Sequence, residues 1–590
     1  MYTNLRSFIE TLKRENEIIE VTAEVDPNLE IAEIHRRVID EQGPALLFTN
    51  VKGSDIPVVT NLFGTIRRVD MTFGPRPEEL VKDLVGSLDK LIPPTVGALW
   101  ERRKMFMDIL KLGTKPVPKA KAPIMDIHTT DVDIRTLPAL TGYHLDSGPF
   151  VTLPLVYTEH PEKNEHNLGM YRIEIREHSK DRTGMHWQIH KGGGFHHHVA
   201  EQRNEALPAT LFIGGPPALS ITAISPLPEA VPELMFASLL MSEKVNVVNV
   251  EGYPHPLIAE ADFAFGGIVP PHVREPEGPF GDHYGYYSLQ HDFPVFDIKH
   301  MWKRKDAIYP ATVVGKPRQE DFFIADYLQR LMGPIFPVVM SGVRALKAYG
   351  ETGVHSLTGA IVRDTYYKEG LAHAFRIMGE GQLTLTKFLM VTNKVVNLNN
   401  FTELLEAVLE RFMPERDLLI VNDTSMDTLD YTGRKLNVGS KAIMTGLGEP
   451  IRELKHTYEG GQMNGITNAK PFCGGCLIIS GASYTEDESL PERLVKEAQE
   501  QLKDWQLVFL VDDANIADSE AMMLWTTFTR FDPSFDIYAE ADIVRNNIRY
   551  RGPIIVDARM KPFYPAEVEV REDIAEKVDQ RWKEYFPNGF

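Results

Sequence analysis

The segment from about residue 124 to 320 constrains the fold most, because it reads as a succession of short β-strands. Runs of branched and aromatic residues recur there and are separated by turns rich in Gly and Pro. These runs are 151–157, 170–175, 209–213 and 245–250. Such a succession is typical of a largely antiparallel sheet or barrel. One apolar stretch within it, 234–242, predicts a helix.

Strand and helix patterns alternate on both sides of this segment. At the N-terminus a helical face is formed by Leu5, Phe8, Ile9 and Leu12. The elements predicted next are a strand at 18–21, a helix at 29–41 and a strand at 45–48. A stretch rich in Pro and Lys, 114–123, is interpreted as a linker. Alternation resumes after about residue 322, so we predict α/β domains on either side of the sheet-rich segment.

A chain of 590 residues is too long for one hydrophobic core, at about 100–200 residues per domain. We therefore predict a mixed α/β (α+β) protein of four parts. They are an N-terminal α/β domain with a linker (1–123), a β-barrel-like domain (124–320), a C-terminal α/β domain (321–447) and a C-terminal extension (448–590).

The C-terminal part contains an internal repeat. Arg411-Phe-Met-Pro-Glu-Arg-Asp417 matches Arg530-Phe-Asp-Pro-Ser-Phe-Asp536, and each copy follows a strand and a helical run. The two strands are 388–391 and 508–511. We interpret this as one strand–helix–strand unit present twice, used for packing or assembly.

Charge and composition exclude several classes of protein. The net charge of −20 repels phosphate backbones, which argues against nucleic-acid binding. No run of about 18 apolar residues predicts a membrane span. The N-terminus has no apolar signal-peptide core, so a cytoplasmic protein is expected.

The two cysteines form Cys473-Gly-Gly-Cys476. A redox or metal pair is one interpretation, although two thiolates do not complete a structural zinc site. The favoured interpretation is two small buried residues at a turn before the strand 477–480.

Candidate metal ligands and phosphate contacts lie in Asn167-Leu-Gly-Met-Tyr-Arg172 and His186-Trp-Gln-Ile-His-Lys-Gly-Gly-Gly194. If 167–172 is a strand and 184–190 its hairpin return, His190 could lie across from that strand. Asn167 and His190 are plausible ligands of a divalent ion, but two are too few, and a buried core histidine is the alternative. A glycine-rich loop beside Lys191 can cradle phosphate oxygens. The neighbouring His196-His-His198 is interpreted as a polar loop rather than a second metal cluster.

A third stretch, Glu275-Pro-Glu-Gly-Pro-Phe-Gly-Asp-His-Tyr-Gly-Tyr-Tyr287, supplies carboxylates on a turn-rich segment. Glu277 and Asp282 could point into one cleft, where proximity and burial raise the pKa of one acid towards neutrality. Arg172 could hold an anion beside them. The alternative is that Glu275, Asp282 and His283 are surface charges.

These motifs together resemble the UbiD family of reversible decarboxylases, which use prenylated FMN. The same resemblance extends to 43–50, Asn61-Leu-Phe-Gly-Thr65 and Gly439-Ser-Lys441, so it runs from the N-terminus to about residue 445. It implies a split β-barrel that binds the flavin at 124–320 and a C-terminal α/β oligomerisation domain.

The resemblance also implies roles for individual residues. The catalytic Arg–acid–acid network is implied to be Arg172, Glu277 and Asp282. The implied ligands of the divalent metal, usually manganese and commonly accompanied by potassium, are Asn167, His190 and Glu233. The implied flavin contacts are Met170, Tyr171, Arg172, Trp187, Gln188, Lys191 and Gly192. Asp282 replaces the Glu of some members and is shorter by one methylene.

The implied reaction is the loss of carbon dioxide from an aromatic acid, followed by proton delivery from Glu277 or Asp282. In length the chain resembles the longer family members, which are associated with quinone biosynthesis. This resemblance implies 1,4-dihydroxy-6-naphthoate or 4-hydroxy-3-polyprenylbenzoate as the substrate. A flavin prenyltransferase that supplies the cofactor and a homo-oligomer are implied, and a prenylated substrate could bring the protein to a membrane surface. The segment 316–323 departs from the family pattern near the pocket.

Three alternatives remain open. The first is a (de)carboxylase of small aromatic acids, associated with other subunits. The second is a non-catalytic assembly subunit, which is disfavoured because the six implied metal and acid-network residues are all present. The third is an oxidoreductase acting through Cys473 and Cys476.

Overall fold

The last segment of the chain returns to the unit in which the chain begins. The computed structural model describes residues 2–74, 76–91, 112–187, 192–225 and 232–590. One unit comprises Met1–Leu328 and Glu567–Phe590, and the other comprises Gln329–Ala566. The mixed α/β class predicted from the sequence is confirmed.

The N-terminal part of the first unit is a four-stranded sheet flanked by helices. Its strands, in order, are Ile18–Val21, Ala45–Phe48, Val58–Thr60 and Tyr309–Pro310. The helices are Leu5–Arg14, Glu30–Asp40, Ile66–Phe73 and Arg76–Leu91. Asn4 caps the first helix by accepting a hydrogen bond from the Ser7 amide, and the predicted face of that helix is buried. The strands predicted at 18–21 and 45–48 are confirmed.

The stretch interpreted as a linker contains a strand, so that interpretation is wrong. Thr114–Pro116 pairs in parallel with Val245–Val248, which also pairs with Leu257–Ile258. Two short 3₁₀ turns follow, Lys119–Lys121 and Pro123–Met125. All three residues of the strand are exposed, so no buried face leaves a pattern in the sequence.

A ten-stranded antiparallel sheet forms the centre of the first unit. Its path joins Phe150–Val151, Ile173–Glu174, Arg182–Met185, His291–Lys303, Phe263–Val269, Leu207–Ile213, Pro154–Glu159 and His166–Gly169. Arg274–Glu277 and Ile127–Thr129 pair with the long strand His291–Lys303. Within the described residues the first and last strands of this path do not pair with each other. The curled sheet is therefore a half-barrel and not a closed barrel.

Three helices accompany this sheet: Gly192–Gln202, Pro217–Thr222 and Glu233–Met241. The last confirms the helix predicted at 234–242. The first corrects two interpretations, because both the glycine loop at 192–194 and the polar loop at 196–198 belong to it. His196 and His197 are buried, and the His196 ring lies 2.9 Å from the Thr158 hydroxyl. Tertiary packing therefore overrides the weak helix propensity of Gly and His.

The second unit contains two five-stranded sheets with the same connectivity. The first has the order Val343–Ala348, Leu357–Val362, Phe388–Thr392, Val438–Gly446, Leu418–Ser425. The second has the order Ile466–Cys473, Cys476–Gly481, Leu507–Val511, Asn547–Asp557, Ile537–Val544. Corresponding helices are Phe401–Leu409 with Glu520–Phe528 and Pro414–Asp417 with Pro533–Asp536. The sequence repeat thus corresponds to two copies of one fold.

The repeated motif marks a short helix that begins at its proline. In each copy the final aspartate accepts the backbone N–H of the third motif residue, from Met413 to Asp417 at 3.0 Å and from Asp532 to Asp536 at 2.7 Å. The two copies share one core that includes Phe388, Phe528 and Phe531. Each copy therefore buries apolar surface against the other.

The remaining helices are Glu320–Met332, which crosses the boundary between the units, and Glu572–Tyr585 in the first unit, with Phe336–Val339, Glu369–Met378, Leu490–Glu497 and Gln499–Leu502 in the second. Among the residues that the structure describes, no helix combines the length and the apolar character needed to cross a membrane.

Candidate active site

Arg172 is the centre of a buried ionic network. Its Nε and Nη2 donate to the two Glu277 carboxylate oxygens at 2.8 and 3.1 Å. Nη1 contacts the Asp282 carboxylate, and Nη2 also donates to the Ser288 hydroxyl at 3.1 Å. The Phe280 ring lies 4.8 Å from the guanidinium carbon. The structure thus brings the three predicted catalytic residues together.

Two features of the backbone place these side chains. The strand predicted over 167–172 is interrupted, because His166–Gly169 pairs with one neighbour and Ile173–Glu174 with another. Arg172 lies in the break between them. Glu277 ends the strand Arg274–Glu277, opposite His291, and Asp282 lies in a short hairpin in which Gly281 bridges Tyr287.

The electrostatics of the network differ from the prediction. Burial raises the pKa of Glu277, but Arg172 and His186 outweigh it and lower that pKa to about 2. Burial likewise raises the pKa of Asp282, but Arg172 and His283 outweigh it, so this pKa lies below its ordinary value. The prediction that one acid has a raised pKa is therefore wrong here, because one guanidinium contacts both carboxylates. Both acids are ionised and held in place.

The surface-charge alternative holds for Glu275 and in part for His283, but not for Asp282. The Glu275 carboxylate pairs with Arg176 and Arg182 and is 30% exposed. The His283 side chain is also 30% exposed, although it contacts Asp282. Glu277 is fully buried and the Asp282 side chain is 9% exposed, so the two predicted acids are buried while Glu275 belongs to a separate ion-pair cluster.

The sequence reasoning missed three members of the network. His186 Nδ1 lies 3.1 Å from a Glu277 oxygen, and burial together with Arg172 lowers the pKa of His186. His283 Nδ1 lies 2.7 Å from an Asp282 oxygen. Ser288 directly follows the third motif. His186 and His283 stood within motifs already singled out, but which atoms they contact depends on the fold.

Two of the three implied metal ligands lie within the described residues. The Leu168 amide donates to Glu233 at 3.0 Å, which brings that carboxylate beside Asn167. Burial raises the pKa of Glu233. His190 lies outside the described residues. Within the described residues, no group of three His, Cys, Asp or Glu side chains could hold a metal ion. Asn167 is not one of these residue types, so among the described implied ligands only Glu233 could belong to such a group.

Tyr171 connects the Asn167 side chain to the start of the helix Gly192–Gln202. Its hydroxyl accepts hydrogen bonds from Asn167 Nδ2 at 3.2 Å and from the Gly193 amide at 3.1 Å, and burial raises its pKa to about 12. A Cβ on Gly192 would lie 2.1 Å from Asn167 Oδ1. A side chain at position 192 would therefore force the Asn167 side chain or the start of the helix to shift.

The implied flavin contacts are described in part. Trp187 Nε1 is buried and has no hydrogen-bond partner in the described part of the chain, so a polar group of a bound molecule could satisfy it. Met170 is half-buried, and Gln188 and Lys191 lie outside the described residues. The indole N–H without a partner among the described residues, the half-buried Glu233 carboxylate and the close approach of Gly192 to Asn167 fit a phosphorylated cofactor held through a metal.

Cys473 and Cys476 are both buried thiols at a hairpin in the second unit. A hydrogen bond with Cys476, burial and nearby carboxylates raise the pKa of Cys473, which disfavours the reactive thiolate.

We expect the double variant Cys473→Ser, Cys476→Ser to keep the wild-type turnover within about twofold, measured as carbon dioxide release. Loss of turnover with the cofactor still bound would revive the oxidoreductase alternative.

Comparison with known proteins defines the family. Models of the 3-octaprenyl-4-hydroxybenzoate carboxy-lyase match in three parts: the N-terminal domain at residues 9–88, the Rift-related domain at 115–317 and the C-terminal domain at 322–446. The chain belongs to the UbiD family of carboxy-lyases. The central match covers the half-barrel and the Arg172 network, whereas residues beyond 446 fall outside all three.

One relative matches nearly the whole chain in sequence, and two solved structures match its fold. A protein of Chlamydia pneumoniae that is named as one subunit of a 4-hydroxybenzoate decarboxylase is 47% identical over 588 residues, which covers 99% of this chain and 98% of the relative. The closed form of Sedimentibacter hydroxybenzoicus vanillic acid decarboxylase matches with a TM-score of 0.68 at 22% identity over 84% of this chain and 99% of its own. HmfF of Pelotomaculum thermopropionicum, solved with FMN, matches with a TM-score of 0.62 at 21% identity over 78% and 98%.

Proposed function

We propose that this UbiD-family protein is a non-oxidative decarboxylase of an aromatic carboxylic acid that uses prenylated FMN. The observation that carries the proposal is the buried network of Arg172, Glu277 and Asp282. An evolved form of HmfF has been solved with prFMN, which supports the choice of cofactor.

The proposed cofactor site consists of the metal ligands and flavin contacts that the family resemblance implies. Asn167, His190 and Glu233 would hold a divalent metal such as Mn²⁺, which with K⁺ would bind the flavin phosphate. The flavin itself would contact Met170, Tyr171, Arg172, Trp187, Gln188, Lys191 and Gly192. When bound, prenylated FMN supplies the electron sink for loss of carbon dioxide. A flavin prenyltransferase would supply it.

The chain's own contribution is orientation and proton control. Arg172 keeps both acids ionised and in fixed positions. Its planar guanidinium, which carries several N–H donors, can also orient the substrate carboxylate. After carbon dioxide leaves, Glu277 or Asp282 must carry a proton to the substrate carbon. Entry of a substrate carboxylate beside Arg172 would weaken its hold on the acids and raise their pKa values, which favours protonation at that stage.

For the substrate we propose an aromatic acid of quinone biosynthesis, either 1,4-dihydroxy-6-naphthoate or 4-hydroxy-3-polyprenylbenzoate. The family description, which names a polyprenylated hydroxybenzoate, supports the second. A small phenolic acid is the alternative, favoured by the names of the chlamydial relative and of the vanillic acid enzyme. A homo-oligomer and attachment to a membrane surface remain predictions.

The deciding experiment is anaerobic co-expression with a flavin prenyltransferase, followed by mass identification of the bound flavin and assay of carbon dioxide release. The substrates would be both quinone precursors, 4-hydroxybenzoate and vanillate. Bound prenylated FMN with turnover establishes the enzyme, and the preferred acid selects the pathway. Absence of flavin at every metal condition would overturn the proposal in favour of an assembly subunit.

Gly192→Ala tests the cofactor site separately from turnover. Its Cβ would clash with Asn167 Oδ1 at 2.1 Å, so either the ligand or the helix N-terminus must shift. We expect the bound flavin per protein to fall at least about tenfold, measured by absorbance after gel filtration. Gln202→Ala at the exposed end of the same helix is the matched control. Wild-type flavin content in Gly192→Ala would contradict this assignment.

A further inference from the structure

The C-terminal segment Glu567–Arg571, here called the strap, lies against one segment of the candidate active site and against a neighbouring loop. It lies outside the three family-matched regions, which end at residue 446. The chain enters the first unit at Glu567, and the strap leads directly into the helix Glu572–Tyr585. Its contacts are therefore those of one compact unit.

The first contact is with the hairpin that carries Asp282. The Val568 amide donates to the Gly285 carbonyl at 3.0 Å, and Glu567 forms an antiparallel bridge with Tyr286. Inside the hairpin, the Asp282 amide donates to Tyr286 and the Gly285 amide to Asp282. The strap thus pairs with the hairpin at an isolated bridge, and one further pair of backbone hydrogen bonds connects the bridged residues to Asp282.

The second contact is with Gly315 and Lys316, at the start of the segment that departs from the family pattern. The Glu567 carboxylate pairs with Lys316 Nζ at 2.6 Å. Val568 is 3% exposed, and a Cβ on Gly315 would lie 3.5 Å from its side chain. The strap therefore joins the acid-bearing hairpin to a neighbouring loop through backbone, charge and packing.

The helix after the strap is anchored on the N-terminal domain. Glu30, which is 1% exposed, accepts from Lys577 at 2.8 Å and from the Tyr585 hydroxyl at 2.5 Å. Arg37 donates to the Ala575 carbonyl at 3.0 Å and pairs with Asp579. A buried, multiply paired carboxylate gives the strap a fixed end.

We propose that the strap is a positioning element that holds the Asp282 hairpin on Arg172 and ties it to Gly315 and Lys316. The proposal rests on the proposed decarboxylase function for its kinetic consequence, but not for its structural one. The strap pairs with Gly285 and Tyr286, the two residues that exchange backbone hydrogen bonds with Asp282, so it limits how far Asp282 can move. A displacement of about 1 Å in a catalytic group can cost about 10²-fold in rate.

The test compares Val568→Pro with Val568→Ala in the full-length enzyme loaded with cofactor. Proline removes the amide that donates to Gly285, whereas alanine keeps it and removes only part of the packing. We expect Val568→Pro to lower kcat by about 10- to 100-fold with KM within about threefold, and Val568→Ala to retain most of kcat. Flavin content should be unchanged in both.

Hydrogen exchange of the hairpin amides provides a readout that needs no turnover. We expect exchange in a peptide covering 281–287 to be faster in Val568→Pro than in Val568→Ala, at equal thermal midpoints. Glu567→Gln, which keeps the backbone bridge but weakens the Lys316 pair, provides a second variant with an intermediate effect if the proline variant does not fold.

The outcomes separate the two proposals. Equal kcat and equal exchange in the proline and alanine variants would overturn the strap proposal while leaving the decarboxylase intact. If exchange is faster in Val568→Pro than in Val568→Ala but the wild-type protein shows no decarboxylation, the proposed function is overturned and the strap proposal is supported. Faster exchange without loss of kcat would overturn the claim that hairpin position limits catalysis.

Discussion

Glu277→Gln is expected to lower kcat by about 10³-fold, which is the usual contribution of a positioned acid or base. Glutamine keeps the shape of the side chain and can still accept a hydrogen bond from Arg172. It cannot carry a proton to the substrate carbon, and it removes the charge that pairs with Arg172 and His186. The measurement is carbon dioxide release under saturating substrate, with bound flavin quantified in the same sample.

Glu275→Gln is the matched control, because it lies two residues away on the same strand but pairs with Arg176 and Arg182. We expect its kcat to stay within about threefold of wild type. If Glu277→Gln retained more than a tenth of the wild-type kcat, Asp282 alone would have to carry the proton.

Arg172→Met is expected to damage both catalysis and folding. The variant leaves two carboxylates, one fully buried and one 9% exposed, facing each other without their shared cation. Breaking a buried ion pair on one side typically costs about 3–5 kcal/mol. We expect a loss of that order in the free energy of unfolding at pH 7, measured in urea, and no detectable turnover.

The pH dependence of this loss has a definite sign. In the wild type the folded pKa values of Glu277 and Asp282 lie below those of the unfolded chain, so their stabilisation is present above about pH 4 and is lost as the pH falls through the folded values. In Arg172→Met burial dominates and the folded pKa values rise above the unfolded ones. Protonation of either acid then removes the repulsion between the two carboxylates in the variant. The difference in free energy of unfolding between the wild type and Arg172→Met should therefore become smaller from pH 7 to pH 5.

Arg182→Met is the control for these stability measurements. Arg182 also pairs with two carboxylates, on Glu275 and Asp297, but its side chain is 38% exposed. Exposed pairs are worth about 0–1 kcal/mol, so we expect a small loss that does not change between pH 7 and pH 5. A pH-independent gap for Arg172→Met would contradict the assigned electrostatics.

Local sequence patterns determined much of the fold. The helix Leu5–Arg14 is predictable because its buried face has the period of a helix. The motif at 411–417 and 530–536 revealed the duplication, because a proline at a helix start and a capping aspartate have fixed spacing. Family motifs also singled out Arg172, Glu277 and Asp282 as one network.

Only the tertiary structure decided how these parts act on one another. The helix Gly192–Gln202 forms because the sheet buries His196 and His197, and the exposed strand Thr114–Pro116 exists because Val245–Val248 pairs with it. The direction of the Glu277 pKa shift depends on distances to Arg172 and His186 that no spacing encodes. The strap contacts a hairpin nearly 300 residues earlier in the chain. Residue type and periodicity are local properties, whereas electrostatics, pairing partners and positioning depend on which distant segments the fold brings together.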